Sequence, residues 1–387
     1  MGTAVSSTVS PRVREWVALS ATSSLGPTRC KRLLQHFGSI EQVFRASLTE
    51  LEAAGLPAAA AQSLALGPSL EAADAALEKA RAAQARIITP ASPEYPTALN
   101  EIYDPPMVLY VVGDAETLGG VGLAVVGTRH PTPYGLGMAE RLSCDLAERN
   151  LIIFSGLARG VDSAAHRGAV KARGKTVAVL GTGVDVIYPR ENRKLSEQIL
   201  ESGGALVSEF PIGTSPKPEN FPIRNRIISG LSYGVLVIEA GEYSGTRITA
   251  RCALEQGRDV FAVPGNVTNK LAWGPNTLIK QGAKLVATWE DVWEELPTDL
   301  RLRLPQPEPP ASEAPATASL FDQPSELQPK ERKLFALIKP DESVHIDALV
   351  EKLEKEMSSS DIFAALFELE LAGKIRQLPG KNFVRVF

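Results

Sequence analysis

Six apolar runs of strand length recur between residues 121 and 286: Leu123–Val126, Leu151–Phe154, Thr176–Leu180, Ala205–Val207, Val235–Ile238 and Val260–Val263. Each is flat rather than alternating, so each predicts a strand covered on both faces. Helical patterns at Tyr134–Arg149, Val161–Arg173, Glu191–Ser202, Phe221–Leu231 and Thr246–Gln256 separate nearly all of them. Alternation of this kind predicts an α/β fold, a Rossmann-like doubly wound parallel sheet between two helical layers.

The flanks read differently. Residues 1–85 are rich in Ala, Leu and Glu and predict an all-helical domain: Gly26-Pro27 precedes a periodic run through Leu33, Leu34 and Phe37, which Gly38-Ser39 stops. The pattern resembles a SAM or helix-hairpin-helix module. A DNA-holding hairpin and a plain docking domain both fit, although Pro27 removes one amide that a phosphate-binding hairpin would use. Residues 86–296 make the Rossmann-like domain, which opens on a Pro-interrupted passage with short apolar runs at Arg86–Thr89 and Met107–Val112. Prolines at 297, 305, 307, 309, 310, 315, 324 and 329 mark 297–329 as an extended linker, in which Thr317–Phe321 is either a short partner motif or idle chain. Residues 330–387 run helix, helix, helix, hairpin, the order of a winged helix. The helices fall near Glu331–Ile338, His345–Glu354 and Ser359–Ala372, and strands at Lys374–Gln377 and Phe383–Phe387 flank Pro379-Gly380.

Charge and cysteine usage exclude several classes. A formal net charge of −4 means that any nucleic-acid site must be local, because the average charge attracts no polyanion. Cys30, Cys144 and Cys252 are far apart and form no C-x-x-C pair, and the four histidines are scattered, which argues for a reducing compartment and against a metal site. No stretch approaches 18 uncharged apolar residues and no signal peptide is apparent, so the expected location is the cytoplasm, without membrane contact.

Ligands of open parallel sheets bind outside the carboxyl ends of the strands. Five of the six strands here end in glycine-bearing turns, among them Gly127-Thr128-Arg129, Ser155-Gly156 and Gly241 with Ser244-Gly245-Thr246. Several lead towards helix starts, whose free N–H groups favour anions. Phosphates are therefore expected on the backbone amides of Gly127, Ser155, Gly156 and Gly245. Arg129 would clamp one of them, unless it forms a salt bridge across the sheet edge. Lys217 and Phe221-Pro222-Ile223-Arg224-Asn225-Arg226 place an aromatic among three cations, which suits a single strand: bases stack and the backbone is neutralised. The bland alternative makes Phe221 and Ile223 core and the arginines solvated. Arg224 and Arg226 lie two apart, so they do not share one helix face. The expected contact set is Gly127, Thr128, Arg129, Ser155, Gly156, Lys217, Phe221, Arg224, Asn225, Arg226, Gly245 and Thr246.

Enzyme motifs fail on spacing. Five residues separate Gly168 from Gly174-Lys175-Thr176 where a P-loop has four, and the run precedes a strand. Gly181-Thr182-Gly183 begins a dinucleotide motif, yet Val186 and Ile187 occupy the region of its third glycine. Asp162 and His166 sit four apart on a helix, either as an acid/base pair or as a helix-start Asp with a structural His. Neither a cofactor nor ATP use is suggested.

These turns, taken with Gly160-Val161-Asp162, Val184-Asp185, Tyr188-Pro189, Ile248-Thr249-Ala250 and Val263-Pro264-Gly265-Asn266, resemble the DNA-processing protein A (Smf) family in register over roughly Thr89 to Ala287. The resemblance implies a non-enzymatic protein that binds single-stranded DNA with little sequence preference, protects incoming DNA in natural transformation and loads the RecA recombinase. It also implies a homodimer formed through the Rossmann domains. Contacts carried over are Arg129, Lys217, Phe221, Arg224 and Arg226. Thr128 stands for the usual Ser, and Arg247 for the usual Leu, leaving open whether Arg247 enlarges the DNA site or pairs with Glu239. The alternative is a nucleotide 5′-monophosphate phosphoribohydrolase of the lysine-decarboxylase-like group. The acid of that group's strand-five turn is missing here, and Glu239 is the conceivable substitute. The last segment balances ten basic against ten acidic residues, and its third helix meets Asp361, Glu368 and Glu370 before any Lys, so it is read as a protein-interaction rather than a DNA-reading domain.

Overall fold

The flat apolar strands do receive cover on both faces. The computed structural model describes residues 12–304, 328–338, 343–353 and 357–385. Its main sheet has nine strands: β1 (Arg86–Ile88), β2 (Leu109–Gly113), β3 (Gly122–Val126), β4 (Ile152–Ser155), β5 (Thr176–Val179), β6 (Ala205–Ser208), β7 (Gly234–Val237), β8 (Asp259–Ala262) and β9 (Lys284–Leu285). Their order is β1-β2-β6-β5-β4-β3-β7-β8-β9. Along β3, Leu123 and Val125 enter one core with Met138, Leu142 and Ala165, and Ala124 and Val126 enter the other with Ile227, Ile228 and Ala250. Helices Pro133–Glu148 and Val161–Lys171 cover the first face; Asn220–Leu231 and Thr246–Glu255 cover the second.

All six expected strands form and pair in parallel, from β6 to β8. The sheet as a whole is mixed, however. β2 joins β6 antiparallel, with Tyr110 opposite Ser208, and β1 joins β2 antiparallel. The passage between them holds only the short helix Thr97–Glu101.

The N-terminal region is helical from Val13 to Ala82, and its core is continuous with the sheet: Trp16, Leu19 and Cys30 share a cluster with Met107, Tyr110 and Leu206. Lys31 also donates to the Ile102 carbonyl at 3.0 Å. These contacts suit a domain docked on the sheet. Residues 298–303, assigned to the linker from sequence, form a helix, and Leu304 is buried against the first face. Residues 305–327, including Thr317–Phe321, lie outside the described residues. The last segment has helices Pro329–Leu337, Ile346–Leu353 and Ser359–Leu371 with a sheet of β10 (Val344–His345), β12 (Asn382–Arg385) and β11 (Ile375–Leu378), built on its own core. That is a winged helix, as its order predicts.

Candidate nucleic-acid interface

β3 and β7 are sheet neighbours although three strands intervene in sequence, and the strand order runs in opposite directions on their two sides. Such a switch point leaves a crevice outside the strand ends. Here it is an open groove of about 880 Å³, lined by Gly127 to His130 after β3, Gly241 to Thr246 after β7, and Phe221, Pro222 and Asn225 at the start of the helix Asn220–Leu231. Turns that are remote in sequence are thus brought to one place.

Arg129 is exposed on the turn after β3, with its guanidinium 5.5 Å from the Phe221 ring centroid. The turn itself is tied down. Thr128 donates its N–H to the Glu239 carbonyl at 2.7 Å, and Val161 donates to the Thr128 carbonyl at 3.2 Å. Gly160, at φ 75°, passes so close that a Cβ there would lie 2.5 Å from the Thr128 carbonyl oxygen. With the backbone already fixed, taking an anion orders only the Arg129 side chain.

Phe221 packs its edge over Gly181, where a Cβ would lie 2.8 Å from the ring, and stands 5.7 Å from Tyr188. Phe221 is half-buried and Tyr188 is 39% exposed, so the pair forms an aromatic wall with open area. Tyr188 was missing from the expected contact set, as was Tyr243, which is 92% exposed and lines the groove. Both are isolated loop aromatics, for which neither periodicity nor charge gives a signal; exposure alone picks them out.

Other expected contacts turn inward. Arg224 is 4% exposed and donates to the Gly156 and Val179 carbonyls. Arg226 is 6% exposed; it makes a two-pronged ion pair with Glu209 at 2.6 and 2.7 Å and also reaches the Asp104 carboxylate at 3.0 Å. Two guanidiniums buried on carbonyls and carboxylates hold the helix Asn220–Leu231 against the ends of β4, β5 and β6, and Arg224 still borders the groove. Ser155 is buried with its hydroxyl donating to the Val125 carbonyl, and the Gly156 N–H donates to Asp162 at 3.1 Å. Neither offers an amide cradle on the surface. Gly127 lines the groove, and a Cβ there would meet Val161, so close packing explains that glycine. Thr246 is buried with its N–H donating to Ser244, whereas Gly245 is exposed with open space where a Cβ would point. Thr128 and Asn225 line the groove, and Lys217 is exposed beside the lining residues Pro216 and Pro218.

The rival enzyme residues are structural. Glu239 is 2% exposed and accepts the N–H and hydroxyl of Thr132 at 2.8 and 2.6 Å, which anchors the start of the helix Pro133–Glu148. Asp162 caps the turn after β4, and burial pushes its carboxyl up against the pull of Arg224. His166 is fully buried, its Nδ1 2.7 Å from the Thr176 hydroxyl, which itself donates to the Ile153 carbonyl. With the hydroxyl hydrogen so committed, Nδ1–H is the donor.

Burial, aided by Arg224 and Arg167, lowers the His166 pKa from 6.5 to about 3. A base depressed in the folded state loses stability as pH falls, because only the unfolded chain takes the proton. Between 6.5 and 3, each pH unit removes up to about 1.4 kcal/mol. Denaturant midpoints of wild type and His166→Gln near neutrality and about one to two pH units below the usual His pKa check this. The variant is expected to lose less on acidification, and equal losses would contradict the assignment.

The family model of the DNA recombination-mediator protein A matches residues 86–297, and that of the DprA winged helix domain matches residues 305–381. Protein Smf of Escherichia coli is 44% identical over 301 residues, 77% of each chain. Protein Smf of Synechocystis is 35% identical over 398 residues, covering 96% of this chain and 98% of its own. The X-ray structure of DNA processing protein A from Streptococcus pneumoniae superposes with a TM-score of 0.65 at 36% identity, covering 73% of this chain and 98% of that one.

Proposed function

This chain belongs to the DNA recombination-mediator protein A (DprA/Smf) family, and we propose that it binds single-stranded DNA, without base readout, in the groove at the β3–β7 switch point. The observation that carries this reading is the exposed Arg129 stacked over Phe221 on a turn that backbone bonds hold fixed. A cation beside aromatic faces fits a splayed strand: the phosphate takes the charge, and the unpaired bases take the rings. A duplex keeps its bases stacked and offers those rings nothing. Lys217, Gly245, Thr128 and Asn225 complete the contact set, with Arg224 and Arg226 behind it as supports.

In this reading the protein protects incoming single strands in natural transformation and hands them to RecA in the cytoplasm. The hand-over proceeds by contact, since no ATP motif is present in the sequence. No helix among the described residues is long and apolar enough to cross a membrane. A homodimer through the Rossmann domains is supported by the open edge at β9, where Leu254 and Leu285 are exposed beside Ile279 and Phe261. The winged helix serves protein contacts. Its third helix exposes Phe363, Phe367, Glu368 and Glu370, a surface that phosphates would not approach.

Competition titrations with single- and double-stranded oligonucleotides test the binding claim: the single strand is expected to displace bound probe, and the duplex to compete poorly. Removing residues from 305 onward should change single-strand affinity by less than about threefold, roughly 0.6 kcal/mol. Equal affinity for both forms, or loss of most affinity on truncation, would overturn the respective assignment.

A further inference from the structure

Beyond the groove's lining residues Glu242, Tyr243 and Leu271 lies a surface that the DNA reading has not used. After β7 the chain passes through Glu242 and the exposed Tyr243 to Arg247, whose Nη1 donates to the Glu242 carbonyl at 2.7 Å. The Arg247 guanidinium lies 5.4 Å from the ring centroid of Trp273, which is 38% exposed. Trp273 is held next to the groove, two residues from its lining residue Leu271, because its segment is stitched to the end of β7: Ala240 donates to the Leu271 carbonyl and Gly274 to the Ala240 carbonyl, both at 2.8 Å. A Cβ on Gly274 would lie 2.5 Å from that same carbonyl, so the approach of the two segments is as close as glycine allows. Exposed Lys270 starts the segment, and Arg247 with Lys270 outnumbers the rim acid Glu242.

Resting on the single-strand reading, we propose that Tyr243, Arg247 and Trp273 form a second nucleotide platform, so that the strand crosses the whole switch point. It would run from the Phe221–Tyr188 wall, over Arg129, to the Arg247–Trp273 stack. An exposed tryptophan with a guanidinium on its face is a ready stacking surface for a base of any kind, and the guanidinium also takes the adjoining phosphate. In this proposal Arg247 enlarges the DNA site; its bond to the Glu242 carbonyl and its place over Trp273 favour that role over a pair with Glu239.

The test is the dependence of affinity on strand length in the full chain, with oligothymidylates of about 4 and about 16 nucleotides, the range of site sizes found in single-strand binders of the OB type. Trp273→Ala and Arg247→Ala are each expected to weaken the long oligonucleotide about fivefold or more, and the short one, held at Arg129 and Phe221, less than about twofold. Arg247 is exposed, so its variant folds even if Trp273→Ala does not. Tryptophan emission gives a readout that a merely structural role would not move. The long strand should quench wild type, and Trp273→Phe should keep most of the affinity while losing most of the quench. Unchanged affinity of Arg247→Ala for the long strand, together with a quench that survives in Trp273→Phe, would overturn the second platform and leave the Arg129 site standing. Failure of wild type to bind either strand would instead overturn the reading on which it rests.

Discussion

Arg129→Ala is expected to weaken binding of every single-stranded sequence alike, by about 1.5–3 kcal/mol, on the order of 10- to 100-fold in Kd. Two effects add. A charge-assisted contact to phosphate is lost, and the Phe221 ring loses the guanidinium that lies 5.5 Å over it. The fold should be untouched, because the side chain is exposed and the turn is held by backbone bonds from Thr128 and Val161. Fluorescence anisotropy with homopolymer and mixed-sequence strands measures the effect. A loss confined to one sequence would mean base readout, contrary to the backbone contact argued here. Arg129→Lys should recover only part of the affinity, since an ammonium keeps the charge but neither the fork nor the flat face.

Arg226→Ala should do the reverse: a large loss of stability, with binding affected only through the fraction unfolded. Its side chain is 7% exposed and pairs with Glu209, which is 13% exposed. Removing one partner strands a buried carboxylate, at a cost of about 3–5 kcal/mol. Domains of this kind have about 5–15 kcal/mol in total, so the denaturation midpoint should fall sharply. Pairing the change with Glu209→Gln separates the causes. In a double-mutant cycle the coupling should exceed about 1 kcal/mol, whereas two independent surface residues would add. A variant that kept its stability but lost DNA would return Arg226 to the contact set.

The contrast between these two arginines shows how far the sequence can be read. The six central strands were legible because burial on both faces leaves a local mark, an unbroken apolar run. β1 and β2 left only short runs between prolines; the place of β2 was decided by pairing with β6, almost a hundred residues away in the chain, and that of β1 by pairing with β2. That ligands bind outside the carboxyl ends of the strands was legible as a principle and pointed to Arg129 and Gly245; that β3 and β7 adjoin at a switch point was not. Which cations face outward was not legible. Lys217, Arg224 and Arg226 look alike as charges near a helix start, but the carbonyls that bury Arg224 lie 45 and 68 residues away. Spacing within a helix separates Arg224 from Arg226 without saying that both turn in. Tyr188, Tyr243 and Trp273 are the converse case, lone aromatics whose meaning arises only when distant turns converge.

Arg129 is expected to take a phosphate of single-stranded DNA at the β3–β7 switch point. The slope of log Kd against log salt concentration tests it most directly, because each phosphate neutralised on a single strand contributes about 0.7 to that slope. Wild type and Arg129→Ala, titrated with one oligonucleotide across a salt series, should give lines that converge at high salt, the variant's being shallower by about 0.7–1. Parallel lines with coincident affinities would place the phosphate site elsewhere on the molecule.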